Sequence, residues 1–359
     1  MKKYLFYLFF VTFFVACDDL NDKTVSIAFP ENTNETGRLF VLSEGLYNQN
    51  NSTLCCIDFT NQTIETNFFE KINKRGLGDT ANDMKRYGNQ LWIVVNGSSQ
   101  IEIINLATGK SLKQILLINN GKNRSPRYVT FWERKAYVCC FDGTIAQIDT
   151  ASLEVEDYLT CGRNPDGVGA VNGKLYVSNS GGLDFPAYDS TVSVIDLTTK
   201  QEIKKITVGM NPYKLETDNE GDIYVVSRGD NQNIKPKWYR IDSKRDEVVQ
   251  IFNDLPVVNF VIHNDTAYLY NFDFVTNDYW IKSFNCKTEQ IIRDHFITDD
   301  TVIERPYCIY AHPVNGNVYI TDAKNYTSNG DLFCFDKNGK LRYSIKGIGL
   351  NPNAVLSVP

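Results

Sequence analysis

The sequence predicts an all-β protein, a seven-bladed β-propeller with four antiparallel strands in each blade. Seven predicted strands end in an Ile-Asp-like step, and these steps recur 43 to 51 residues apart. A repeat of this length is typical of propellers and solenoids. Helical periodicity extends over no useful length, which favours the all-β class. The steps are Ile57-Asp58, Ile104-Asn105, Ile148-Asp149, Ile195-Asp196, Ile241-Asp242, Phe284-Asn285 and Phe335-Asp336.

The fourth repeat shows the pattern of one blade most clearly. Its hairpin turns carry Asn172-Gly173 and Thr198-Thr199-Lys200, residue types that such turns favour. The second strand of each repeat is rich in β-branched and aromatic residues, as expected of a strand covered on both faces. The four strands are predicted at Asp166–Val171, Lys174–Asn179, Ser190–Asp196 and Glu202–Val208.

Prolines mark the connection into most first strands, where a residue without an N–H is tolerated. A further Asn351-Pro352-Asn353 precedes the last segment, Ala354–Val358, and no blade follows it. The first repeat, from Arg38, lacks its own first strand. We therefore expect the C-terminal strand to complete the first blade and to close the ring without exposed sheet edges. The other prolines are Pro126, Pro165, Pro212, Pro256 and Pro306.

The N-terminus predicts export and lipidation. Lys2-Lys3 precede an apolar run, Tyr4–Val15, and then Ala16-Cys17, which resembles a bacterial lipoprotein signal with Cys17 as the lipidated residue. Ordinary cleavage, with Cys17 as a bystander, is the alternative. The acidic Asp18-Asp19 resembles a surface-export signal of Bacteroidetes lipoproteins. The predicted organisation is a signal peptide over 1–16, a lipidated polar tether over 17–37 and the propeller over 38–359.

Composition argues against several classes of function. The net charge of −6 leaves no basic footprint for nucleic acid, and no segment after residue 17 is apolar enough to span a bilayer. The cysteines after Cys17 are interpreted as small apolar strand residues rather than metal ligands or disulfides. The three histidines, His263, His295 and His312, form no metal or catalytic pattern. We therefore expect no catalytic residues, no metal, no required cofactor and no enzyme, with a propeller lyase or lactonase as the least favoured alternative.

Candidate binding residues lie in the loops between second and third strands, which share a face of the disc with the connections between blades. Aromatic rings and interspersed polar groups on a rigid scaffold suit the binding of a large ligand. The alternative is that many rings only fill the central funnel, and that Asp230 and Asp322 cap their own loops in Asx turns. The predicted ligand-binding residues are Tyr47, Asn48, Asn96, Arg127, Phe185, Tyr188, Arg228, Asp230, Trp238, Phe272, Phe274, Tyr279, Lys324 and Tyr326.

Four segments resemble the YncE-like surface propellers of Bacteroidetes. They are Leu42–Leu54, Leu91–Asn96, Ser125–Val129 and Val318–Ala323. The resemblance extends from about Arg38 to the end of the chain and implies a seven-bladed propeller. Its BtuG-type members are lipoproteins that bind cobalamin and pass it to a TonB-dependent transporter.

The resemblance implies a lipid-anchored protein on the outer-membrane surface that captures a bulky small molecule, with a corrinoid as the favoured ligand. Its partners would be that ligand and a TonB-dependent outer-membrane transporter, and the protein would be a monomer when soluble. Contact with the membrane would be through the lipid anchor only. A surface binding or adhesion role, with a siderophore, a glycan or a partner protein, remains the alternative.

Overall fold

The computed structural model describes residues 27–31, 33, 35–230 and 232–359. The predicted signal peptide, Cys17 and the first part of the predicted tether therefore lie outside the described residues. Within the described ranges, no helix combines the length and the apolar character needed to cross a membrane.

The described residues form seven four-stranded antiparallel sheets, which confirms the predicted all-β propeller. The innermost strand of each sheet contacts the innermost strands of both neighbouring sheets, and the contacts run once around a closed ring. From the innermost strand outward, the blades are as follows: blade 1, Pro352–Val358, Arg38–Ser43, Thr53–Asp58 and Thr63–Glu65; blade 2, Ala81–Tyr87, Gln90–Val95, Gln100–Asn105 and Ser111–Leu116; blade 3, Pro126–Trp132, Lys135–Cys140, Thr144–Asp149 and Val155–Thr160; blade 4, Pro165–Val171, Lys174–Asn179, Thr191–Asp196 and Gln201–Thr207; blade 5, Pro212–Thr217, Ile223–Ser227, Lys237–Asp242 and Glu247–Phe252; blade 6, Asn259–His263, Thr266–Phe272, Tyr279–Asn285 and Gln290–Arg293; blade 7, Pro306–Ala311, Val318–Asp322, Asn329–Phe335 and Leu341–Leu350.

The C-terminal strand closes the ring as predicted. Pro352–Val358 pairs antiparallel with Arg38–Ser43, so that Val355 lies opposite Val41 and Val358 opposite Arg38. Because Pro352–Val358 supplies the innermost strand of blade 1, Arg38–Ser43 is not left as an unpaired sheet edge.

The core lies between blades rather than in one centre. Side chains from adjacent sheets interdigitate in apolar clusters, and the second strands are almost fully buried because a neighbouring blade covers each face. Seven of the eight described cysteines are buried, which fits their interpretation as small apolar strand residues.

Two features differ from the sequence-based picture. A six-residue helix, Phe68–Asn73, follows the three-residue outer strand of blade 1 and buries Phe69 between blades 1 and 2. The last part of the predicted tether also packs on the propeller. Phe29 contacts the ring of Phe59 with centroids 5.8 Å apart, and Asn315 donates to the Glu35 carboxylate over 2.8 Å.

Candidate functional site

A cavity of about 790 Å³ lies on the axis of the ring and is lined by the inner strands of all seven blades. At the end where the inner strands begin, loops between second and third strands also line it. We call this end the mouth. Pockets of this size accommodate a small-molecule ligand.

The same backbone conformation recurs at the mouth in five of the seven blades. The residue before the inner strand has a left-handed φ in five blades, as in Asn164 (φ 43°), Asn211 (φ 58°) and Asn351 (φ 56°). Asparagine tolerates this region better than most residues. Its carbonyl accepts a hydrogen bond from the first residue after the second strand, for example from Arg228 N–H to Asn211 over 2.9 Å and from Glu44 N–H to Asn351 over 3.1 Å. These hydrogen bonds therefore hold the start of each such loop beside the start of the inner strand of the same blade.

Bulges then direct side chains into the mouth. The pairing register shifts at the start of the inner strand in every blade except blade 6. Such bulges re-aim side chains and are frequent beside functional sites. The residue immediately after the first position of each bulged strand is polar or aromatic. These residues are Asn82, Arg127, Asp166, Tyr213, Tyr307 and Asn353.

Arg127 is held by partners on both sides. Its Nε donates to Asp166 Oδ1 over 2.6 Å, its Nη1 donates to Asn82, and its guanidinium lies 4.7 Å from the ring centroid of Phe141. Burial opposes the charged form, but the adjacent Asp166 carboxylate raises the pKa of Arg127 above its ordinary value. Arg127 is therefore a permanent, positioned charge.

Arg228 is held mainly by stacking. Its guanidinium carbon lies 3.3 Å from the ring centroid of Tyr213, and its Nη1 is 3.8 Å from Asp166 Oδ2. Tyr213 shares a hydroxyl hydrogen bond with Tyr128 across blade 4. This pairing needs Gly167 between them, because a Cβ there would lie 2.4 Å from the Tyr213 carbonyl oxygen. The flat stack presents the guanidinium edge to the cavity.

Glu44 supplies a carboxyl group opposite these arginines. Tyr307 Oη donates to one carboxylate oxygen, and Asn353 Nδ2 lies 3.4 Å from the other. Burial raises the pKa of Glu44, although the Tyr307 hydrogen bond and the charges of Arg127 and Arg228 oppose that rise. Glu44 therefore favours its neutral form more than an exposed glutamate does.

An aromatic wall completes the mouth between blades 6 and 7. Arg305 lies 4.9 Å from the ring centroid of Tyr326 and 5.4 Å from that of Phe272. Phe272 packs edge-on against Phe274, whose ring is largely exposed, and Tyr326 packs edge-on against Tyr307. Flat rings beside a guanidinium suit a planar, negatively charged ligand.

Five of the fourteen sequence-predicted residues thus line the cavity, and the others do not. Those that line it are Arg127, Arg228, Phe272, Phe274 and Tyr326. Tyr47 and Asn48 are exposed in the loop of blade 1, and Phe185 packs against Tyr188 in the loop of blade 4, with ring centroids 5.9 Å apart. Asn96 donates to the carbonyl of Pro126 over 3.0 Å and so has a structural role.

Four further predicted residues contact other parts of the protein, and two of them, Trp238 and Tyr279, belong to third strands rather than to the predicted loops. Trp238 is fully buried in the core between blades 5 and 6, 4.8 Å from Tyr224, because it belongs to a strand rather than to the loop. Asp230 accepts three backbone N–H bonds of its own loop, which matches the alternative Asx-type interpretation. Lys324 pairs with Asp331 over 2.8 Å, and Tyr279 Oη accepts from Ile303 N–H over 3.2 Å.

Several cavity residues were missed by the sequence analysis. Glu44 occupies the same position of its blade as Arg228, directly after the second strand. Tyr213, Tyr307 and Asn353 each follow the proline that begins an inner strand. Both positions recur at fixed offsets within the repeat, so the signal for them was present in the sequence.

Comparison with known proteins shows the fold. No protein-family profile matches the sequence, and no curated protein does. A quinonprotein alcohol dehydrogenase-like protein of Bacteroides thetaiotaomicron is similar in structure with a TM-score of 0.64 and 15% identity, over 90% of this chain and 78% of that one. Hydrazine synthase of Kuenenia stuttgartiensis is similar with a TM-score of 0.57 and 14% identity, over 70% of this chain and 74% of that one.

These similarities correct one prediction. The sequence analysis expected no enzyme, whereas both similar structures carry the names of enzymes or enzyme-like proteins, and the prediction is contradicted. At 14% and 15% identity the likeness itself shows the fold alone. The chain is thus a β-propeller that resembles, among others, quinonprotein dehydrogenase-like structures.

Proposed function

We propose that this chain captures a bulky small molecule that carries an anionic group, at the mouth of the axial cavity. The proposal is based mainly on the position of Arg228, whose guanidinium carbon lies 3.3 Å from the ring centroid of Tyr213. Among the described residues, no acceptor forms a hydrogen bond with its side chain, and the nearest carboxylate oxygen is 3.8 Å away. A pre-positioned guanidinium with free N–H groups suits a phosphate or a carboxylate of a ligand.

The charge balance of the mouth supports an anionic ligand. Four cationic side chains line the cavity, those of Lys85, Arg127, Lys214 and Arg228, and three acidic ones, those of Glu44, Asp83 and Glu216. The excess is one positive charge when all three acids are ionised, and protonation of Glu44, whose pKa is raised, increases it. Charges of one sign in a cleft with low-dielectric walls attract ligands of the other sign.

A corrinoid is our first candidate for the ligand. It combines a phosphate with a broad ring system edged by amide groups, which matches Arg228, the amide of Asn353 and the rings of Phe272 and Tyr326. Its size exceeds that of most pocket ligands, so the corrin ring would lie across the mouth with the phosphate inserted. The family resemblance supports this choice of ligand, and the exposed ring of Phe274 extends the contact surface outside the cavity.

Surface attachment and delivery belong to the same proposal. We propose that Cys17 carries lipid, that the protein lies on the outer-membrane surface, and that a TonB-dependent transporter accepts the ligand. Labelling cells with a palmitate analogue tests the first step. Incorporation into the wild type and its loss in Cys17→Ala would support a lipid anchor, whereas equal labelling of both would contradict it.

Equilibrium dialysis with cyanocobalamin tests the ligand. We expect saturable binding to the wild type and roughly tenfold weaker binding to Arg228→Met, because one charge-assisted hydrogen-bonding group is lost. Arg245→Met is the matched control, since Arg245 is an exposed arginine that pairs with Asp242 in a turn away from the cavity. No binding by the wild type at micromolar concentrations would contradict the corrinoid, and equal binding by Arg228→Met would contradict the site.

A further inference from the structure

The cavity continues below the mouth into a second polar region. Along the bulged inner strands, the third and fifth residues face the axis, while the fourth packs between blades, as Met84 and Leu215 do. In blade 2 the axial residues are Asp83 and Lys85, and in blade 5 they are Lys214 and Glu216. We call these four residues the deep ring. Blades 2 and 5 lie on opposite sides of the axis.

The two lysines of the deep ring have different surroundings. Lys214 Nζ lies 3.3 Å from Glu216 Oε1, two residues along the same strand. Lys85, in contrast, forms no hydrogen bond and has no carboxylate within 4.0 Å among the residues the structure describes. Asp83, two residues before Lys85 on the same strand, accepts the backbone N–H of Val129 over 3.0 Å. Burial raises the pKa of Asp83, although the charge of Lys85 opposes that rise, so Asp83 offsets the charge of Lys85 only in part. An ammonium group in a cavity wall without a carboxylate in contact favours an anion there.

The axial depth between the two cationic positions follows from strand geometry. Ser227, the residue before Arg228, lies opposite Pro212, the first residue of its inner strand. In blade 2 the partners of the first inner-strand residue and of Lys85, Val95 and Trp92, are three residues apart on the regular second strand. Three residues of strand correspond to about 10 Å at roughly 3.3 Å per residue. The walls between these levels are mainly aromatic and apolar, with Tyr128, Val168 and Val261 among them.

We propose that the cavity binds an elongated molecule with two acidic groups about 10 Å apart, one held by Arg228 at the mouth and the other by Lys85 in the deep ring. Lys214 also attracts the second acidic group, because its ion pair with Glu216 offsets its charge only in part. The segment between the acidic groups packs on Tyr128 and Val261. This inference rests on the proposed function, because it takes the axial cavity to be the binding site and defines the ligand class further.

A series of unbranched dicarboxylates tests the spacing. Binding of malonate, glutarate, pimelate, azelate and sebacate to the full chain is measured by isothermal titration calorimetry, with hexanoate and decanoate as monoacid references. We expect affinity to rise with chain length and to be highest for the members that span about 10 Å, which should bind at least tenfold more tightly than decanoate. An affinity that does not depend on length, or a long diacid that binds no better than its monoacid, would overturn the inference.

Substitutions locate the second acidic group. Lys85→Met should reduce the affinity for the longest diacids about tenfold and leave the affinity for decanoate unchanged. Lys113→Met is the control, because Lys113 is an exposed lysine that pairs with Glu154 on the outer side of the propeller. Equal loss of diacid and monoacid binding in Lys85→Met would show a structural effect and overturn the assignment.

The outcome is separable from that of the cobalamin test. Length-dependent binding of diacids without binding of cyanocobalamin would support the deep ring and reject the corrinoid. Binding of cyanocobalamin without any length dependence among the diacids would reject this inference and leave the proposed function in place.

Discussion

At the scale of single residues, the mouth combines groups that oppose each other in charge. Arg127 is fixed by Asp166 and Asn82, whereas Arg228 rests on Tyr213 and keeps its donors free among the described residues. Glu44 bonds Tyr307 and faces both arginines. Its desolvation outweighs these attractions, so the site holds an acid with a raised pKa beside two permanent cations.

Glu44 therefore predicts a pH dependence of stability. Its pKa in the folded protein is raised by burial above the ordinary 4.5, so the folded state binds more protons than the unfolded state in the interval between the two values. Unfolding free energy then falls as pH rises through that interval and levels off above it. In Glu44→Gln the unfolding free energy should fall less as the pH rises through this interval, because an amide does not titrate.

Urea unfolding of both proteins from about pH 4 to about pH 8 measures the effect. Other buried acids such as Asp83 remain in both proteins, so the difference between the two curves isolates Glu44. Parallel curves across this range would contradict a raised pKa at Glu44.

At the scale of elements, close approach of inner strands positions the site. In blade 4, Gly167 and Gly169 lie on the strand between Tyr128 and Tyr213, and side chains there would collide with blade 5. A Cβ on Gly169 would lie 2.6 Å from Leu215 Cδ1. The glycines let the two tyrosines meet over blade 4, and that contact in turn supports Arg228.

Gly167→Ala should therefore disturb both stability and binding. Its Cβ would meet the Tyr213 carbonyl at 2.4 Å, and overpacking of this kind costs about 1–3 kcal/mol of unfolding free energy. The displaced Tyr213 should also weaken ligand binding at the mouth. Gly76→Ala is the control, since nothing lies within 4 Å of a Cβ there and its stability should be nearly unchanged. A Gly167→Ala protein as stable as the control would contradict the tight contact of blades 4 and 5.

At the scale of the whole molecule, the ring depends on both ends of the chain. Pro352–Val358 closes blade 1, and the segment before Arg38 seals the junction of blades 1 and 7. Glu35 is almost fully buried there and accepts hydrogen bonds from Asn315 and Asn317, with Arg342 3.6 Å away. The described residues before Arg38 thus contribute contacts to the closed ring.

Glu35→Ala should destabilise the protein by about 1–3 kcal/mol, because buried amide groups lose their acceptor. Glu31→Ala, at an exposed position of the same segment, should have little effect. Thermal unfolding of the two variants measures the difference. Equal midpoints would show that the segment contributes nothing to the closed ring.

The fold was predictable because its signals are local and repeated. The repeat of 43 to 51 residues, hairpin turns such as Asn172-Gly173 and the unmatched Pro352 together specified seven blades and their closure. The site was less predictable, because the mouth combines single residues from seven distant segments. Trp238 is an example. It was predicted to be the last residue of a loop, but the third strand begins at Lys237, so the ring of Trp238 lies in the core. Arg127 and Arg228 were identified as hydrogen-bond donors, one at a blade entry and the other in a loop between second and third strands.

A crystal structure of the protein with cyanocobalamin would show whether the axial mouth is the binding site. We expect ligand density across the mouth, with a ligand phosphate within hydrogen-bonding distance of Arg228 and ring contacts to Tyr213 and Tyr326. A bound ligand on the outer strands or on the opposite face, with the mouth occupied only by solvent, would contradict this expectation.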